Sequence, residues 1–119
     1  MHNIDQRDLE EFSSALLAGI TIGAGSIALI FSSDATLLIQ CPFKCEHGGI
    51  ILSGNGEQPA SSALLIDYLN KKVTKSEYLN GLLVMEFEAG EVLTVIPNRD
   101  GLESYVITNR FGILPIAVF

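Results

Sequence analysis

The chain changes its hydrophobic period several times, and each change marks an element. Over residues 5–18 the apolar positions Leu9, Phe12, Leu16 and Leu17 recur at helical spacing. Acids in the first turn complement the helix dipole and Gly19 supplies a stop, which predicts a first helix. From Ile20 onward Ile and Thr mix with glycines and the pattern becomes that of strands: residues 26–31, a turn at Ser32, Ser33 and Asp34, then residues 35–43. In that second arm Leu37, Ile39, Cys41, Phe43 and Cys45 share one face by period two, so this face is expected to meet the core. Pro42, which lacks an N–H, suits an edge or a bulge.

Residues 47–49 and 53–59 read as turn and loop, with Ile50, Ile51 and Leu52 between them as a short strand or edge segment. Ser61 or Ser62 can cap a second helix running to about Lys72, with Leu64, Leu65, Tyr68 and Leu69 on its stripe and a basic last turn. Strands follow at 73–78, 82–88, 91–96, 102–109 and 113–119. Ala89-Gly90 makes one tight turn, and residues 98–101 and 109–112 make others. The sum is an α+β fold: a strongly curved antiparallel sheet of about six to eight hairpin-connected strands, with two helices on one face.

Composition fixes the scale and removes some functions. A chain of 119 residues that is 48% hydrophobic and 18% charged can fill one core unaided, so residues 1–119 are read as a single domain. Seven Lys and Arg against fourteen Asp and Glu give a net charge of -7, which argues against direct binding of nucleic acid. Met1-His2-Asn3-Ile4-Asp5 is followed by more acids, unlike a secretory leader, and two cysteines are too few for a disulfide framework. A reducing cytoplasmic setting is expected. Residues 12–33 are uncharged and hold Gly19 and Gly23 at the spacing of a membrane-helix dimer face, but their glycines, Ser and Thr, and the acidic flanks Glu11 and Asp34, argue against a span.

Sites for chemistry are few. Cys41, Cys45 and His47 offer zinc-type ligands without a fourth nearby, and strand alternation turns both cysteines inward, so a core role or an opportunistic disulfide is the competing reading. Only His2 and His47 are available as bases, His2 at a fraying end, and no Ser lies in a nucleophile elbow. Gly19, Gly23 and Gly25 lack the strand-turn-helix order and the Lys of a phosphate loop, and no cofactor is implied. Glu86, Glu88 and Glu91 bracket one hairpin, Glu86 and Glu88 on one strand face; they suit an acid/base couple, a calcium site, a solvated face or recognition of a basic partner.

Leu64-Leu65, Lys72-Val73-Thr74, the run from Leu83 through Phe87, Ala89-Gly90, Leu93-Thr94-Val95, Pro97 and Glu103-Ser104-Tyr105 together resemble small bacterial immunity proteins of the polymorphic-toxin and contact-dependent growth-inhibition type. Leu29 to Phe31, Asp34 and the stretch from Leu37 to Pro42 are similar to the first half of that pattern. Tyr105 stands where Trp is frequent and Ala89 where Asp is frequent. The resemblance implies a non-enzymatic inhibitor that neutralises one toxin domain by tight binding.

Charge is compatible with that implication, since the toxin is expected to be a nuclease whose basic cleft would draw in an acidic protein. The exposed residues expected to meet it are Glu46 and Glu57 in the long loop, Glu86, Glu88 and Glu91 at the hairpin, and Asp100 and Glu103 beyond it. Tyr105 is either an aromatic anchor or a core residue on the face of Ile107. Two other classes remain open: a small-ligand module using the concave sheet face, and an enzyme using Glu86 with Glu88 or Glu103 with Tyr105.

Overall fold

A computed structural model describes residues 4–119; His2, read above as part of a fraying end, lies outside the described residues. Ten strands pair antiparallel throughout. They are β1 (Leu17–Ile22), β2 (Ile27–Phe31), β3 (Thr36–Ile39), β4 (Pro42–His47), β5 (Ile50–Asn55), β6 (Val73–Leu79), β7 (Leu82–Phe87), β8 (Val92–Val95), β9 (Glu103–Asn109) and β10 (Gly112–Ala117). They form two five-stranded sheets, ordered β1-β2-β3-β9-β10 and β5-β4-β8-β7-β6. The expected hairpin-connected antiparallel strands are present, but in two sheets rather than one, and with more strands than expected.

The division falls inside the predicted arm 35–43. The chain leaves the first sheet after Ile39, where the Gln40 N–H donates to the Ser104 carbonyl, and enters the second at Pro42. Pro42 is the first residue of β4, a position that tolerates its missing donor. Gly56 packs into this corner: a Cβ there would lie 2.0 Å from the Ile39 carbonyl oxygen, so no side chain fits. Alternation survives the corner. Leu37, Ile39, Cys41, Phe43 and Cys45 are all buried, and they join residues of both sheets in one apolar cluster with Phe31, Leu83, Leu93 and Ile107.

Of the two predicted helices, the first shortens to a 3₁₀ turn and the second forms as a 3₁₀ helix. Residues 5–18 instead give a 3₁₀ turn, Gln6–Leu9, closed by a reciprocal Asp5/Asp8 capping box and extended by i→i+3 turns until Ser14, whose φ of +65° ends the run. Leu9, Phe12 and Ala15 are buried apolar residues of this segment, a spacing of three rather than 3.6, and Asp8 of the capping box is buried beside them. Leu17 onward is strand, as its Ile and Thr content favours. The second segment is a 3₁₀ helix, Pro59–Tyr68, and it buries Ser62, Leu65 and Tyr68, again every third residue. It stops before Lys71 and Lys72, so the predicted basic last turn is not part of it. Residues 12–33 fold into turns and the β1–β2 hairpin, and no helix among the described residues is long and apolar enough to cross a membrane.

Candidate functional site

Strand β5 is the terminal strand of its sheet, paired on one side only, with β4. Its hairpin turns through Gly48 and Gly49 at φ +61° and +83°, the left-handed pair that a two-residue turn needs. That turn makes His47 and Ile50 a hydrogen-bonded pair, and with a period of two Cys45–Leu52 and Phe43–Gly54 follow. The backbone N–H and C=O of Ile51 and Ser53 therefore point away from β4, along the free edge. On this edge Ile50, Ile51 and Leu52 are 66%, 56% and 50% exposed, three consecutive large apolar side chains with no charge among them. Natural edge strands are usually blunted by charge, Pro or a covering element, and this trio carries neither charge nor Pro.

Ile50 and Leu52 lie on the inner side of β5, level with Cys45, and form one wall of a cleft of about 410 Å³. The 3₁₀ helix supplies the facing wall through Leu64, Asp67 and Tyr68. Lys71, His47, Glu46 and Glu91 complete the lining. The Tyr68 hydroxyl donates to the Val92 carbonyl at 3.1 Å and its ring meets Phe87 edge-on at 4.9 Å, which fixes the back of the cleft. Burial raises the Cys45 thiol, partly offset by a hydrogen bond with the Tyr68 hydroxyl.

Glu91 sits at the inner end. Its side chain is only 2% exposed, Oε2 is held by the Lys71 ammonium, and Oε1 has no hydrogen-bond partner. Burial pushes this carboxyl up, but the Lys71 hydrogen bond and charge, its own backbone N–H and the charge of His47 together outweigh burial and leave it below its ordinary value.

The structure scatters the acids picked out from the sequence. Glu46 and Glu86 are exposed and half-buried on the outer face of the second sheet, each opposite Val92 on its flanking strands, so two strand spacings separate them, roughly 10 Å. Glu88 is exposed beyond the end of β7 and accepts from the Lys72 N–H at 3.1 Å. Glu91 is corrected from a hairpin-tip acid to a buried one on the opposite face. Glu57 is exposed in the turn after β5, its N–H donating to Asn55 Oδ1. Asp100 is exposed in the β8–β9 loop, where Oδ1 accepts from the Leu102 N–H, and Glu103 is exposed at the start of β9.

Tyr105 is fully buried and its hydroxyl donates to Gly81, so it takes the core reading of its face and is no surface anchor. Of the proposed acid/base couples, Glu88 accepts from a backbone amide and Tyr105 points into the core. Cys41 and Cys45 are both free and buried, and no three His, Cys, Asp or Glu among the described residues converge to hold a metal. Gly23 and Gly25 belong to the β1–β2 turn and Gly19 to a β1 bulge.

Sequence reasoning named residues 50–52 as a short strand or edge segment but missed the cleft beneath them. The available signal was three consecutive apolar residues between Gly49 and Ser53, without a charge. Comparison with protein-family models, with curated proteins and with solved structures gives no match for this chain.

Proposed function

We propose that this protein is a non-catalytic, immunity-type inhibitor that binds a basic bacterial toxin domain, a nuclease by its expected charge, and blocks its active cleft. The observation that carries this reading is the bare β5 edge: Ile50, Ile51 and Leu52 stand exposed on a strand with unpaired backbone groups. Beside them Glu46 lies directly opposite Ile51, and Glu57 follows β5 by two residues. An apolar centre with an acidic rim suits a partner whose own rim is basic, and the net charge of -7 would speed the encounter. The resemblance of residues 64–105 to immunity proteins supports the same class. Co-expression with a candidate toxin fragment should restore growth to cells that the fragment alone kills. Continued killing with both proteins soluble would end the reading.

A small-ligand module is the second reading, favoured by the cleft of about 410 Å³, a volume within the ordinary range for such pockets. A thermal shift with a metabolite and none with the toxin fragment would select it.

A further inference from the structure

We infer that the cleft between β5 and the 3₁₀ helix is a receptor for one cationic alkyl side chain, that of an Arg or Lys, with Glu91 Oε1 as its terminal acceptor. That the side chain belongs to the toxin domain rests on the reading above; the chemistry of the cleft does not. Its walls are Ile50, Leu52 and Leu64, which fit the methylene stem of such a side chain. Among its inward-facing ionisable side chains are the carboxylates Asp67 and Glu91, the Lys71 ammonium and the His47 imidazole, while the Glu46 carboxylate lies on the outer face of the sheet. A carboxylate oxygen with no partner on a side chain 2% exposed is rare in folded proteins, because an unmet acceptor in a dry site costs free energy. A donor arriving from outside removes that cost. Lys71, 30% exposed on a flexible stem, holds Oε2 and so leaves Oε1 to the incoming cation.

An anion is disfavoured by Asp67 and Glu91, and a neutral alkyl group would leave Oε1 unmet. A second copy of this chain is a poorer occupant. The exposed strand it would add, β5, carries no Lys or Arg, and pairing two β5 edges would bring the Glu46 side chains of two chains of charge -7 together.

The test is a titration of the full chain, followed by amide NMR shifts, with n-butylguanidinium as probe and n-butanol and butyrate as its neutral and anionic matches. Butylguanidinium should move the amides of Cys45, Leu64, Tyr68 and Glu91 and bind roughly tenfold more tightly than butanol, the discrimination expected of a charge-assisted hydrogen bond. Glu91→Gln should erase that preference. Lys71→Met, which removes the competing ammonium and leaves Glu91 in place, should strengthen butylguanidinium binding. Equal binding of butanol, shifts confined to other residues, or a Lys71→Met chain that binds the cation no better would overturn the inference. The outcomes separate cleanly from those of co-expression: a cleft that selects the cation in a protein that fails to protect cells keeps the receptor and discards the immunity reading, and protection by a chain indifferent to the cation does the reverse.

Discussion

The Tyr105 hydroxyl donates to the Gly81 carbonyl at 2.7 Å in a fully buried setting, and so β9 of one sheet is tied to the tip of the β6–β7 hairpin in the other. Burial raises the Tyr105 hydroxyl well above its ordinary value, keeping it a donor at any working pH. Gly81 itself is at φ +89°, where a Cβ would also lie 2.8 Å from Val118 Cγ2. Tyr105→Phe keeps the ring and strands the carbonyl, so it should cost about 1–3 kcal/mol in urea unfolding. Gly81→Ala should cost more than about 1 kcal/mol through strain at the same junction. A Tyr105→Phe chain as stable as the parent would show the bond to be dispensable.

How far the fold could be read in advance follows from which signals are local. Alternation from Leu37 to Cys45 predicted the buried face correctly because each residue reports its own side. It could not reveal the corner at Gln40 and Cys41, since inward residues stay inward when the chain changes sheets; that corner depends on Gly56, far along the chain, fitting against Ile39. The pattern does not tell a 3₁₀ from an α-helix, because Leu9-Phe12-Ala15 and Ser62-Leu65-Tyr68 differ from an α stripe by a fraction of a residue per turn. Glu91 was misplaced for a different reason. A carboxylate is assigned to solvent unless its partner is known, and Lys71, twenty positions away, becomes a partner only in the folded chain.

The cysteines are placed to act as packing. They stand four residues apart along an extended run, roughly 13 Å, beyond the reach of a disulfide. Cys41 is fully buried with its thiol pushed up to about 12 by burial, and Cys45 is 6% exposed with its thiol raised as well. Replacing both with Ala should cost about 1–3 kcal/mol in all through lost contacts. In the native chain a thiol reagent should react slowly with both, Cys45 first because it lines the cleft, and rapidly once urea unfolds the protein. Rapid native labelling of Cys41, or stoichiometric zinc on elemental analysis, would contradict this assignment.

The Lys71–Glu91 pair should give stability a measurable acid dependence. The Glu91 carboxyl is lower in the folded chain than its ordinary value of 4.5, so the folded state favours the ionised form. Its contribution is complete above that ordinary value and is lost as pH falls through the lower folded value. Unfolding free energies of the parent and of Glu91→Gln, measured from about pH 6 down to about pH 3, should therefore converge on acidification, with the parent losing the more. Parallel curves would mean that Glu91 carries no linked proton.

Two acids of the outer face decide whether β5 is the seat of the partner. Glu46 lies beside Ile51 on the cross-strand row that continues through Val92 to Glu86 and Lys75, so a toxin resting on the β5 edge would pass over this row first. Rim charges act mainly on the rate of encounter, whereas the apolar centre holds the complex together. Glu46→Gln with Glu86→Gln should thus slow association with the toxin fragment and flatten its salt dependence in stopped-flow measurements at two ionic strengths. Asp34→Asn, at the β2–β3 turn of the other sheet, should leave the rate unchanged. Ile51→Lys should speed dissociation at least about tenfold while moving stability by no more than a few tenths of a kcal/mol, because the side chain is already in solvent. If Asp34→Asn slows association and the Glu46 and Glu86 variants do not, the partner sits on the first sheet, and the exposed β5 trio needs another explanation.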